Sequence, residues 1–120
     1  MAGFDGQFSV GIDIEDIGRF KKLNLKEDKV FLNKVFTKKE LKYSFSKKNF
    51  GQHLAVRYVA KEAVVKALGN KKIAYNKIEI VNDKSGRPGA VIANKRFKDI
   101  NIKISLSHCS DKAVAMALLI

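Results

Sequence analysis

Between Phe8 and Ile14 the chain alternates, with Phe8, Val10, Ile12 and Ile14 on one side and Ser9, Gly11 and Asp13 on the other. A period of two is the mark of a half-buried strand with an apolar and a polar face. The period then changes. Asp16 opens a short helix whose buried stripe is Ile17, Phe20 and Leu23, with Arg19, Lys21 and Lys22 toward solvent. The lysine-rich stretch from Leu25 to Val35 predicts a second helix, with Val30, Phe31 and Val35 inward. Thr37 and Glu40 are spaced as the N-cap and third residue of a capping box, which opens a third helix running to about Lys47. Asn49-Phe50-Gly51 breaks the chain. A long helix follows from about Gln52 to Leu68, rich in Ala, Val, Leu and Lys and stopped by Gly69.

The second half returns to strand periods. Ile78 to Val81 reads as a strand, Asn82 to Pro88 as a turn-rich connection, and Ala90 to Ala93 as the return strand. Ile100, Ile102, Ile104 and Leu106 alternate with Asn101, Lys103, Ser105 and Ser107; Cys109 to Lys112 then turns the chain into an apolar strand, Ala113 to Ile120. A strand, then helices, then an antiparallel meander gives the α+β class, an antiparallel sheet packed against a long helix and shorter helices. No repeat or internal linker interrupts it. At 120 residues, 46% hydrophobic and 30% charged, one domain over 1–120 with one modest core is expected.

Charge narrows the partner. Lysine and arginine number 24 against 12 acidic residues, a net charge of +12, so an anion is expected. Nucleic acid is the default partner of so basic a chain, but an acidic protein or a polyphosphate cofactor fits the charge equally well. The phenylalanines and tyrosines fall mostly on apolar faces rather than between exposed cations, which argues against a base-stacking surface. No run approaches the ~20 apolar residues of a membrane span. The N-terminal segment has no signal-peptide core, and one cysteine, Cys109, permits neither an intrachain disulfide nor a CxxC metal knuckle. A cytoplasmic protein is expected.

The chemistry concentrates at a few positions. Asp13 ends the first strand on its polar face beside Gly11, where a carboxylate suits a hard cation or a helix-opening turn. In the long helix a lone carboxylate, Glu62, sits among Arg57, Lys61 and Lys66. An intrahelical Glu62 to Lys66 pair explains one cation and contributes only a few tenths of a kcal/mol (~0.2–0.5). The surplus cations point to a phosphate-bearing ligand. His108 ends the alternating strand after Ser107, where a histidine can donate to a phosphate, move a proton or simply complete a turn. Cys109 reads as a turn residue. GxSxG, HExxH, P-loop and GxGxxG patterns are all missing from the sequence.

Three separated segments then converge. Gly11-Ile12-Asp13-Ile14-Glu15-Asp16-Ile17-Gly18-Arg19-Phe20, the run Arg57-Tyr58-Val59-Ala60-Lys61-Glu62-Ala63-Val64-Val65-Lys66-Ala67-Leu68-Gly69, and Ser105-Leu106-Ser107-His108 resemble, in order and spacing, the motifs of the holo-acyl-carrier-protein synthases. Phe36-Thr37-Lys38-Lys39-Glu40 is similar to a fourth, weaker motif of that family. The resemblance implies the 4′-phosphopantetheinyl transferase fold and a homotrimer with active sites between subunits. It implies transfer of the phosphopantetheine arm of coenzyme A to a serine of apo-acyl carrier protein, releasing adenosine 3′,5′-bisphosphate. By the same resemblance, Asp13 and Glu62 hold Mg²⁺, Lys61 and Lys66 neutralise phosphate oxygens, and Lys66 also serves the leaving group. Arg57, Ser107 and His108 contact the coenzyme's phosphates, and the stretch Asn82 to Pro88, with Gly86, Arg87 and Pro88 as its binding residues, borders its adenine. The serine proton goes to a metal-bound water or to Glu62. Arg19, Lys21 and Lys22 are the docking residues for the acidic carrier. Two departures from the family pattern stand out: Val59 replaces a small residue, and Cys109 follows His108 where threonine is common. A subunit whose charged helix serves assembly alone is the plainest competing reading.

Overall fold

The computed structural model describes residues 8–69 and 72–120. Strand β1 (Ser9–Asp16) pairs antiparallel with β5 (Lys112–Leu119), which pairs antiparallel with β4 (Ile102–His108), giving a three-stranded sheet in the order β1-β5-β4. The 19-residue helix α4 (Phe50–Leu68) packs across this sheet. Small residues bring helix and sheet together: Ala113, Ala115 and Ala117 of β5 are all buried. At Gly11 of β1 a Cβ would lie 2.0 Å from the Ala63 carbonyl oxygen and 2.7 Å from the Ala67 nitrogen. Only glycine permits that approach.

Helix α4 is apolar nearly all round because it is covered nearly all round. Leu54, Val59, Ala60, Val64 and Ala67 are buried, with the sheet on one side and α1 (Gly18–Lys21), α3 (Lys38–Phe45) and β2 (Ile78–Asn82) on others. A helix buried on several faces carries no single apolar stripe. The capping box of α3 forms as expected: the Glu40 amide donates to Thr37 Oγ1 at 3.2 Å, and the Thr37 amide donates to Glu40 Oε1 at 2.8 Å. Helix α4 begins two residues before the expected Gln52 and ends, as expected, at Gly69, whose φ is 69°.

Five sequence expectations need correction. Asp16 does not open the first helix: it is the last residue of β1, and α1 starts at Gly18 after Ile17, with no side-chain cap. The helix expected over Leu25–Val35 is α2 (Lys29–Val35), because Asn24 Oδ1 accepts from the amides of Lys26 and Glu27 and holds that stretch in a turn. Its buried residues are Leu32 and Val35, Phe31 packs half-buried against the core as expected, and Val30 is 72% exposed. The expected meander is divided: β2 pairs only with β3 (Pro88–Ile92) in a two-stranded sheet, and β3 lies beside β4 without a ladder. The division leaves an open groove of about 640 Å³ between the hairpin and β4. Finally, β1 is half-buried with its faces reversed, its small and polar side being the one against α4. Val10, Ile12 and Ile14 are about 60% exposed, at 60%, 62% and 61%, and stand opposite Leu118, Met116 and Val114 of β5. The outer face of the sheet is therefore an apolar surface in the single chain.

Candidate active site

Helix α4 and strand β1 bring the first set of residues together. Gly11 seats β1 on α4, so Asp13, two residues on and on the same side, faces the last turns of that helix. Lys66 Nζ donates to Asp13 Oδ1 and to the Ile12 carbonyl, each at 3.0 Å. Among the described residues no Glu62–Lys66 pair forms, so the expected intrahelical bridge is replaced by one that joins helix to strand.

Glu62 instead lies against Tyr58 and Tyr75, whose ring centroids are 6.0 Å apart. Burial and then the neighbouring Glu62 carboxylate raise both phenols above their usual value, and Asp13 adds to the effect on Tyr75. Asp13 and Glu62 thus act on one small region from two elements. Two carboxylates make a poor cage for a metal bound by protein alone, and among the described residues no third His, Cys, Asp or Glu joins them. Such a donor set fits Mg²⁺, which dehydrates reluctantly and is commonly held by one or two carboxylates together with water and substrate phosphates.

Lys61 does not belong to this set, which corrects the sequence expectation. Its side chain has no exposed surface. Nζ donates to Glu40 Oε1 at 2.6 Å, to the Val35 carbonyl at 2.7 Å and to the Tyr75 carbonyl at 3.0 Å. Three acceptors match the three donors of an ammonium group. Burial lowers its pKa, and the charge of Glu40 opposes that fall. Glu40 Oε2 meanwhile accepts from the Ile80 amide at 2.8 Å, and Thr37 Oγ1 donates to Glu79 at 2.6 Å. The Lys61–Glu40 pair ties α4, α3, the turn at Tyr75 and β2 together, leaving no donor for a ligand phosphate.

A second set gathers on the other side of α4. Nine residues separate Arg57 from Lys66, roughly 180° of helical rotation, so the two side chains leave the helix in opposite directions. Arg57 is 93% buried, being 7% exposed. Its Nη1 donates to the His53 carbonyl at 3.2 Å, its Cζ lies 4.7 Å from the Tyr43 ring centre, and its Nε has no partner. No carboxylate pairs with it among the described residues. Burial pushes the guanidinium down, against the raising effect of Glu40 and Tyr43. His108 closes this region from the end of β4, its Nε2 3.3 Å from Gln52 Nε2. Tyr43, Gln52, His53, Arg57, Asn82 and His108 line a cavity of about 180 Å³.

The remaining expected residues lie elsewhere. Arg87 and Pro88 line the open groove between the hairpin and β4, facing Lys103 and Ser105. Gly86 shapes the turn that carries them, with φ 86°, while Asp83 Oδ1 accepts from the Ser85 and Arg87 amides. Ser107 is on the outer face of the sheet beside Ile12 and Met116, opposite in direction to His108. Cys109 is exposed and its Sγ donates to Asp111 Oδ1 at 3.3 Å. His53, Gln52 and Tyr43 escaped the sequence reading, whereas Asn82 belongs to the stretch expected beside the adenine and lines both this cavity and the groove. His53 carried a signal, since it precedes Arg57 by four and so shares its helix face; Tyr43 carried none.

A family model described as the 4′-phosphopantetheinyl transferase superfamily matches residues 9–118. The holo-acyl-carrier-protein synthase of Clostridium tetani is 41% identical over 119 residues, covering 92% of this chain and 93% of that one. The enzyme of the same name from Geotalea daltonii is 38% identical over 121 residues, covering 93% and 97%. The crystal structure of the Neisseria meningitidis synthase superposes with a TM-score of 0.81 at 26% identity, covering 93% of this chain and 97% of that one. That of the Bacillus anthracis synthase in complex with CoA (3′,5′-ADP) superposes at 0.77 with 28% identity, covering 92% and 94%. With the family model matched over residues 9–118 and relatives about 40% identical over more than nine-tenths of its length, the chain belongs to the 4′-phosphopantetheinyl transferase superfamily, as an enzyme of the holo-acyl-carrier-protein synthase family.

Proposed function

We propose that this chain, acting as one transferase domain over 1–120, moves the 4′-phosphopantetheine arm of coenzyme A onto a serine hydroxyl of apo-acyl carrier protein. The observation that carries the reading is the Lys66–Asp13 bridge between α4 and β1, with Glu62 and Asp13 both acting on Tyr75. The names of the relatives and the coenzyme in the Bacillus anthracis complex support it.

Asp13 and Glu62 are the residues that would hold Mg²⁺, which when bound neutralises pyrophosphate charge. The serine hydroxyl gives up its proton to Glu62, directly or through a water, as its oxygen forms a bond to the β-phosphorus and the pyrophosphate P–O bond breaks. Adenosine 3′,5′-bisphosphate leaves with the bonding pair, and the carrier retains the phosphopantetheine. Lys66, about half exposed and bridged to Asp13, swings its ammonium to the charge that grows on the departing oxygen. Phosphoryl transfer asks chiefly for such positioning and neutralisation. Arg57 and His108 bind a second phosphate of the coenzyme, and the groove beside Arg87 and Pro88 borders its adenine.

Arg57 leaves α4 on the side away from Lys66, toward His108 at the end of β4, so one coenzyme reaches both sets only between copies of the chain. The exposed apolar sheet face of Val10, Ile12, Ile14 and Met116 supports association of copies, and the family resemblance makes the assembly a trimer. Arg19, Lys21 and Lys22, all exposed, steer the acidic carrier. Among the described residues no helix is long and apolar enough to cross a membrane, and the cytoplasm is the proposed location.

The test is incubation with coenzyme A, Mg²⁺ and apo-carrier, followed by mass spectrometry of the carrier. The expected result is a mass gain equal to one phosphopantetheine; an unchanged carrier at saturating coenzyme and metal overturns the reading.

A further inference from the structure

Arg57 is a buried cation without a carboxylate, and its Nε has no acceptor. Leaving a buried guanidinium so exposed to the low-dielectric interior is costly unless an anion completes it. The other groups around the cavity strengthen the demand. His53 and His108 both line it. Lys47 stands on the same side, with Nζ 4.8 Å from the Tyr43 ring centre, and the ring meets His53 edge-on at 5.5 Å. The acidic residues nearest Arg57 are already engaged: Glu40 holds Lys61, and Glu79 accepts from Thr37. The cavity therefore gathers Arg57 and two imidazoles, with Lys47 beside it over the Tyr43 ring and no free carboxylate among the described residues that line it.

We propose that His53 is a binding residue for a phosphate monoester seated against Arg57, and that it takes up a proton as the phosphate enters. The inference rests on the proposed function only for the identity of that ester as the coenzyme's. A dianionic phosphate offers acceptors for Arg57 Nε and for an imidazolium in a charge-assisted arrangement. In the empty cavity the imidazole is kept neutral: burial, then the like charges of Arg57, Lys47 and His108, hold it below its usual 6.5. Incoming negative charge cancels those terms and favours the protonated ring. Gln52 fixes the opposite wall by its contact with His108, so the two histidines are not equivalent: one follows α4 and Arg57, the other the end of β4.

Isothermal titration calorimetry with adenosine 3′,5′-bisphosphate at about pH 7, in two buffers of different ionisation enthalpy, reads the proton directly. The expected result is net uptake approaching one proton for the wild type. His53→Gln, which keeps a hydrogen-bonding side chain, is expected to bind about tenfold more weakly and with little uptake, while its circular dichroism is unchanged. His108→Gln is expected to weaken binding but retain the uptake. Adenosine 5′-monophosphate and inorganic phosphate, run alongside, show which phosphate carries the proton. Equal uptake in His53→Gln, or binding without uptake in the wild type, overturns the inference. A wild type that transfers phosphopantetheine yet shows no uptake overturns this inference alone. One that takes up the proton on binding the bisphosphate but transfers nothing overturns the proposed function and leaves the phosphate site.

Discussion

Lys61 Nζ donates to Glu40 Oε1 at 2.6 Å, and the two side chains are 0% and 1% exposed. The pair stands between the two halves of the site, one residue from Glu62 and four from Arg57 along α4. Its role is to hold α3 and β2 against that helix, so its loss acts on both halves through the fold.

Lys61→Met is expected to destabilise the protein by about 3–5 kcal/mol, the usual effect of leaving one member of a buried pair uncompensated. Adding Glu40→Leu is expected not to restore stability, because the amides of Thr37 and Ile80 then lose their acceptor. Urea unfolding midpoints at constant slope measure both. A Lys61→Met protein of wild-type stability that no longer binds coenzyme A would make the lysine a ligand after all.

Gly11→Ala tests the seat of β1. With the Ala63 oxygen only 2.0 Å from the new Cβ, strand and helix must part, at a cost of about 1–3 kcal/mol or more. Asp13 moves with the strand, so transfer activity is expected to fall further than thermal stability alone accounts for. A variant with wild-type turnover would show that the spacing between Asp13 and Glu62 is not critical.

Asp13→Asn and Glu62→Gln are expected to lower transfer about 10²-fold at fixed Mg²⁺, the scale of disturbing a metal's ligands, with partial recovery as the metal is raised. Stability is expected to change little for Asp13→Asn, because a pair with an exposed partner such as Lys66 contributes ~0–1 kcal/mol. Turnover against metal concentration, together with melting curves, separates the two effects. Full activity without metal dependence in either variant would remove these carboxylates from the chemistry.

Ile12→Glu puts a charge on the outer sheet face opposite Met116. The chain is expected to stay folded and to lose both self-association, read by light scattering, and transfer activity. An assembly of unchanged mass would mean that this apolar face is not the contact between copies.

Stability should fall on mild acidification. His53 in the fold has its pKa below the usual 6.5, so across the interval between the two values the unfolded chain binds more protons. Stability then rises with pH through that interval and is lower beneath it. His53→Gln is expected to flatten this dependence in denaturant titrations from about pH 5 to 7. An unchanged slope would assign the effect to other groups.

Much of this was legible from residue order. The capping box at Thr37, the run of α4 to Gly69 and the alternation of β4 are local, set by backbone propensity and side-chain period, and each stands where the sequence predicts it. Asp13 and Glu62 were singled out through the family resemblance, because on local grounds a turn aspartate and an i,i+4 pair explain them as well. The buried face of β1 was not legible. A period of two distinguishes the faces without saying which meets the helix, and here close contact at Gly11 outweighs the hydrophobicity of Ile12 and Ile14. Nor was the destiny of the cations. In the sequence Arg57, Lys61 and Lys66 are equivalent; in the structure one is a buried guanidinium whose Nε has no acceptor, one is sealed against Glu40, and one bridges to Asp13.

The sequence by itself determined the family and the α+β class, since those depend on motif order and local pattern. Only the tertiary structure decided which charges are free. Whether an ammonium meets a ligand or a glutamate depends on what is packed above it, and Glu40 comes to Lys61 from 21 residues away through a fold that local pattern does not specify.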